Sequence, residues 1–220
     1  MLVLALDSAT AACSVALWEN GVLHAHRLAV MARGQAEALI PMVETVMKRA
    51  GLGFADLDLI ATTVGPGTFT GIRIGLAAVR GLALATGLPI AGVTTTEAVA
   101  AAIPEAERHG RAVLVALDSK RDDPWAQAFA ADLTPLSPPA ALTPLAVAAL
   151  ASGPAIVAGD AADRILPLMN DAVAAATPGH PDAAVVAALG ARHWRNGTAL
   201  PPHPLYLRPA DVTLPAAPFP

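Results

Sequence analysis

The chain repeats itself at half its length. Val3-Leu-Ala-Leu-Asp-Ser8 returns as Leu114-Val-Ala-Leu-Asp-Ser119, an apolar run of strand length that ends both times in Asp-Ser. Each run is followed by a short polar turn and a second apolar run, Cys13 to Trp18 in the first copy and Trp125 to Ala130 in the second. That is the opening of a β-hairpin, used twice. In the first copy Glu19-Asn20-Gly21 adds an Asn-Gly pair tolerant of positive φ and leads to a third strand, Val22 to Leu28.

The intervening segments complete two α/β halves. From Gln35 to Ala50 the residues Ala36, Leu39, Ile40, Val43, Val46, Met47 and Ala50 recur at helical spacing, and Gly51 and Gly53 end the helix. Pro41 is expected to kink that helix or to lie in its first turn. Leu57 to Val64 reads as a strand, Ile72 to Ala85 as a helix and Pro89 to Val93 as a strand, and Thr94-Thr-Thr-Glu97 carries N-cap chemistry for a further helix. Prolines dilute the chain between Pro135 and Pro154. Beyond them come a strand at Ala155 to Ala158, a helical segment near Ala161 to Met169 and a last helix around Asp182 to Trp194. With the boundary near Pro104 to Arg111, residues 1–104 form a βββαβαβα half and 105–220 a smaller one. The last helix, about 182–195, is placed to pack back on the first half. Two mixed-sheet α/β halves of this order are the ribonuclease H-like duplication of actin, sugar kinases and heat-shock ATPases.

Composition narrows the chemistry. A net charge of −4 with no run of Lys and Arg argues against an unaided grip on nucleic acid. Cys13 is the sole cysteine, so an internal disulfide and a multi-cysteine metal site are excluded. His24 and His26 alternate onto one strand face, the remaining histidines are scattered, and neither H-E-x-x-H nor Gly-x-Ser-x-Gly occurs. No metal, cofactor or catalytic residue is therefore expected. The most apolar run, Ile74 to Ile90, is broken by Arg80, Gly81, Gly87 and Pro89, and the chain opens directly on a strand. A cytoplasmic protein with no membrane span is the expectation.

Nucleotide-binding members of such a fold place glycines after the aspartates that face phosphate. Here the loops read Asp7-Ser-Ala-Thr10 and Asp118-Ser-Lys-Arg-Asp-Asp-Pro124, without glycine. Asp7, Ser8 and Thr10 are candidate nucleotide contacts, set against the reading that they cap a tight turn. Gly65-Pro-Gly67-Thr-Phe-Thr-Gly71 has the context of an anion site, between a strand and a helix. It lacks the Gly-Lys-Ser/Thr of a P-loop and the spacing of a dinucleotide fingerprint. Arg73 sits in the helix's first turn, where the dipole disfavours a cation, so a carboxylate or anion partner is expected. Along that helix Gly71, Gly75, Ala78, Leu82 and Ala85 form a stripe of mostly small residues beside Ile72, Leu76, Val79 and Ala83. Two faces with little bulk leave two readings open, packing within the domain or packing against a partner.

Several stretches together resemble the bacterial TsaB family. They are Leu4-Ala-Leu-Asp-Ser-Ala-Thr10 with Ala12-Cys-Ser-Val-Ala-Leu17, Leu39-Ile-Pro-Met-Val43, Gly65-Pro-Gly-Thr-Phe-Thr-Gly-Ile-Arg-Ile-Gly75, Gly81-Leu-Ala, Gly92-Val-Thr94 and Pro204-Leu-Tyr-Leu-Arg208. The resemblance implies a non-catalytic scaffold and activator in making N6-threonylcarbamoyladenosine beside the tRNA anticodon. It implies pairing with TsaD, recruitment of TsaE, homodimers in isolation, and contact with tRNA only through TsaD. It also implies a pairing surface built from the first two helices. The candidate interface residues are Leu39, Met42, Val43, Val46, Thr68, Phe69, Thr70, Arg73, Leu76, Ala77, Arg80 and Leu84. The chain departs from the family at Met31-Ala-Arg-Gly-Gln35, where relatives often have a histidine, and in the loop from Asp118 to Trp125. The alternative is a stand-alone ATPase or peptidase of the duplicated fold.

Overall fold

The computed structural model describes residues 1–208, so the end of the expected second half lies outside the described residues. The first half opens on an antiparallel meander, β1 (Leu2–Asp7), β2 (Ala12–Glu19) and β3 (Val22–Val30), with Leu2 opposite Glu19 and Asp7 opposite Ser14. Asn20 and Gly21 at the β2–β3 turn both have positive φ, 47° and 97°, as an Asn-Gly hairpin requires. Helix α1 (Gln35–Ala50) ends on Gly51 in the left-handed conformation. It runs through Pro41, which lies beyond the first turn and on the solvent side, where the carbonyl left without a proline N–H faces water.

Strand β4 (Leu59–Gly65), helix α2 (Phe69–Thr86), strand β5 (Ile90–Thr94) and helix α3 (Thr95–Ala101) complete the half. Helix α2 starts before the expected Ile72 because Thr68 is its cap, the hydroxyl accepting from the Gly71 N–H at 3.1 Å. Thr94 caps α3 in the same way, accepting from the Glu97 N–H at 3.2 Å. The sheet order is β3-β2-β1-β4-β5, with β1, β4 and β5 parallel.

The second half repeats this path with its helices cut down. After the short α4 (Glu105–Arg108) come β6 (Ala112–Leu117), β7 (Trp125–Phe129), β8 (Ala140–Ala141), α5 (Pro144–Ala148), β9 (Ala155–Ala158), β10 (Ala172–Ala174) and α6 (Ala183–Asn196). The order β8-β7-β6-β9-β10 is that of the first sheet, strand for strand. The helix expected over Ala161 to Met169 does not form. Two 3₁₀ turns, Ala162–Arg164 and Leu166–Leu168, stand in its place, because Pro167 has no N–H to continue a ladder and restricts the residue before it.

The halves exchange their last helices. On one face of the first sheet α1 and α2 bury Leu39, Val43, Val46 and Val79 against Leu4, Leu6, Leu17 and Ile60. On the other, α6 packs Ala183, Val186, Ala187 and Ala191 against Val3, Ala5, Leu59 and Ala61. Contact there is so close that a Cβ on Gly190 would lie 2.6 Å from the Ala61 Cβ. Helix α3 in turn places Val99, Ala100 and Ile103 on Val113, Val115, Leu117 and Ile156 of the second sheet. We propose the division between halves at residues 104–111, where α4 joins α3 to β6. By length and composition α2 reaches the apolarity of a membrane span, despite its interruptions. Its inner face, Gly71, Ile72, Gly75, Leu76 and Val79, is nevertheless committed to the protein.

Candidate functional site

The glycine turn between β4 and α2 is filled by the chain itself. The Ala9 carbonyl accepts from the Thr68 N–H at 2.8 Å, and the Ser8 hydroxyl donates to the Gly71 carbonyl at 2.8 Å. A Cβ on Gly67 would stand 2.4 Å from the Ala9 oxygen, and one on Gly71 2.1 Å from the Ser8 oxygen. These glycines admit the Asp7–Thr10 loop where a phosphate cradle would admit a phosphate. The same geometry decides the small-residue stripe of α2. Gly71 and Gly75 face that loop, Ala78 and Leu82 lean on the core, and Ala85 is exposed. The close backbone approach is internal.

Asp7, Ser8 and Thr10 are brought together, and all are buried. Asp7 Oδ1 accepts from the Thr63 hydroxyl at 2.5 Å and from the Ala9 N–H at 3.3 Å, while Oδ2 has no hydrogen-bond partner. Complete burial pushes this carboxyl up to about 7, against the lowering effect of those bonds. Asp7 is thus a fully buried acid that caps the turn after β1. Thr10 Oγ1 lies 3.1 Å from His180 Nδ1 in the segment leading to α6. Nearby, Asp182 caps α6 and meets His26 at 2.9 Å. Burial alone would raise its carboxyl, but the bonds from His26 and the Ala184 N–H hold it below the ordinary carboxylate range.

In the second-half loop the Asp118 N–H donates to Asp160 at 2.7 Å, and the Asp118 carboxylate holds the Lys120 ammonium at 2.5 Å. Lys120 has φ of 60°, the conformation that a glycine would adopt without strain. Among the described residues no group of three or more His, Cys, Asp or Glu is placed to hold a metal ion.

Arg73 is engaged differently from expectation. Its guanidinium lies 3.6 Å from the centre of the Phe69 ring, and its Nε–H donates to the Tyr206 hydroxyl at 2.9 Å. Ring face and phenol are its partners within the described residues, where a carboxylate or anion was expected. Arg80 donates from Nε to the Pro202 carbonyl at 3.1 Å. Both arginines therefore fasten the C-terminal segment, whose Leu205 N–H also donates to the Val64 carbonyl at 2.7 Å. No sequence pattern located that segment, although Pro204 to Arg208 carries part of the family resemblance.

Of the candidate interface residues, Leu39, Met42, Val43, Val46 and Leu76 are buried in the chain's own core. The apolar period that makes these helices amphipathic points at their own sheet. Thr68 is the half-buried cap. Phe69, Thr70, Arg73, Ala77, Arg80 and Leu84 are exposed, and α1 adds Ile40 and Pro41 to the outer surface. Leu84 is 89% and Ile40 41% exposed, which leaves an apolar face on the outside of the helical layer.

Fold and site together define a duplicated α/β protein in which the glycine turn between β4 and α2 is filled by the chain's own Ser8-Ala9 backbone. A Clostridium difficile activator of 2-hydroxyisocaproyl-CoA dehydratase shares this fold, at TM-score 0.50 and 12% identity over 90% of this chain and 97% of the activator. The chain belongs to the TsaB/YeaZ family. An uncharacterized Pseudomonas aeruginosa protein with similarity to the peptidase YeaZ is alike at TM-score 0.81 and 30% identity, covering 94% of this chain and 99% of that one. The Escherichia coli tRNA threonylcarbamoyladenosine biosynthesis protein TsaB is 38% identical over 128 residues, 58% of this chain and 54% of that relative. The chain spans about half the length of the curated TsaB relatives it matches. Residues 29–127 match the model of the family TsaD, tRNA N6-adenosine threonylcarbamoyltransferase.

Proposed function

We propose that this chain acts in the cytoplasm as a non-catalytic scaffold and activator in the synthesis of tRNA N6-threonylcarbamoyladenosine. It pairs with TsaD, recruits TsaE, and forms homodimers when alone. The observation that carries this reading is the exposed apolar face of α1 and α2, beside a glycine turn occupied by the chain's own backbone. The match to the TsaD family runs through the segment containing both helices. Two chains built on the same helix pair can meet face to face across a two-fold or pseudo-two-fold axis, which serves homodimer and heterodimer with one surface.

The test is reconstitution. Modification of tRNA by TsaD should require this chain, and the chain alone should neither hydrolyse ATP nor cleave peptides. ATP turnover or peptide cleavage by the isolated chain would favour the stand-alone enzyme instead.

A further inference from the structure

Between the Pro66–Arg73 turn, the Ser119–Trp125 loop and residues 205–208 lies a cleft of about 940 Å³, at the upper end of the roughly 300–1,000 Å³ of small-molecule sites. Among the described residues its walls carry Arg73, Lys120, Arg121 and Arg208 with Phe69, Trp125 and Tyr206, and no carboxylate. In a chain of net charge −4 that wall is a local exception to the acidic balance. Asp118 and Asp123 hold Lys120 and Arg208 at 2.5 and 3.0 Å from outside the lining. They lower the net potential without facing the cleft.

Phe69 and Tyr206 are exposed, whereas Trp125 is half-buried against the core of the second half. Phe69 and Tyr206 stack with ring centres 5.6 Å apart and planes 25° from parallel, and they stay 53% and 40% exposed. Exposed rings flanked by a guanidinium form a surface on which unpaired bases stack, and cations beside them accept the phosphates. The cations come from three separate segments of chain, at Arg73, at Lys120 and Arg121, and at Arg208. Two backbone donors of the turn are already taken, the Thr68 N–H by the Ala9 carbonyl and the Gly71 N–H by the Thr68 hydroxyl. We propose that this cleft docks an unpaired RNA strand, so that the chain contributes its own contact to the nucleic acid. The choice of RNA rests on the proposed role in tRNA modification.

Fluorescence anisotropy of a labelled single-stranded RNA hexamer, titrated with the full chain at low salt, tests this. The expected result is saturable, salt-sensitive binding that Phe69→Ala or Tyr206→Ala weakens by about tenfold or more and Lys120→Glu also weakens. Tyr206→Phe, which keeps the ring, should bind nearly as the wild type does, and thermal midpoints of all variants should match. A duplex of the same sequence should bind far more weakly, and AMP should not displace the strand. Absence of saturable binding, wild-type binding by both alanine variants, equal binding of the duplex, or displacement by AMP would each overturn the proposal. Leu84→Glu should keep RNA binding, so failure of the TsaD pairing and failure of this cleft are read separately.

Discussion

Asp7→Asn should alter how stability depends on pH more than it alters stability at any one pH. The Asp7 carboxyl is raised by burial from 3.8 to about 7, so between those values the folded state holds a proton that the unfolded chain has released. Stability that this group contributes is present below pH 4 and is lost as pH rises toward 7, by about 1.4 kcal/mol per pH unit. From pH 5 to 7 the loss comes to about 2 kcal/mol, because the slope falls off as pH reaches the folded-state value. An Asn keeps the oxygen that accepts from Thr63 and Ala9 but places an amide where Oδ2 has no partner. That orphaned donor costs about 1–3 kcal/mol at every pH. The variant is therefore less stable than the wild type at pH 5 and draws level with it, or passes it, near pH 7. Urea unfolding of both proteins at several pH values measures the difference, in which the contribution of Asp160 cancels and that of Asp182, whose charge acts on Asp7, cancels only in part. A difference that stays constant from pH 5 to 8 would refute the assignment of a buried, protonated Asp7.

Other substitutions probe the closed turn and the exchanged helices. Gly71→Ala puts a Cβ 2.1 Å from a backbone oxygen that cannot yield as a side chain could, and it should cost about 1–3 kcal/mol, seen as a lower thermal midpoint. Gly190→Ala forces α6 away from Ala61 and should cost a similar amount, about 1–3 kcal/mol, in chemical denaturation. Isothermal calorimetry with ATP on the isolated chain should show no heat of binding, because Ser8 and Ala9 occupy the turn where a phosphate would sit.

Local chemistry made the first half legible from sequence. The Asn20-Gly21 turn, the Thr94 cap and the helix from Gln35 to Ala50 each follow from their own residues, and the repeated Asp-Ser strand anticipated two sheets of one order. Legibility failed where partners are distant in sequence. The stripe through Gly71 and Gly75 left open whether it packs within the domain or on a partner, and the structure places both against Ser8, brought back by the β1–β4 pairing. Arg73 looked like half of an ion pair, and its partner Tyr206 comes from the far end of the chain. Leu39, Met42, Val43, Val46 and Leu76 lie on the buried faces of α1 and α2, and periodicity alone does not say which face of a two-faced layer meets its own sheet. The lost helix at Ala161 to Met169 had a visible cause in Pro167.

The outer face of α1 and α2 is proposed to meet a partner. Leu84 is 89% exposed, so Leu84→Glu should change stability by no more than about 0.5 kcal/mol. Buried against a partner, the same leucine would contribute about 1.5–3 kcal/mol, and a charge in its place would cost more. Sedimentation of wild-type and Leu84→Glu chains, alone and with TsaD, measures this directly. The expected result is an unchanged thermal midpoint with association weakened about tenfold to a hundredfold or more; wild-type association by Leu84→Glu would contradict a partner on this face.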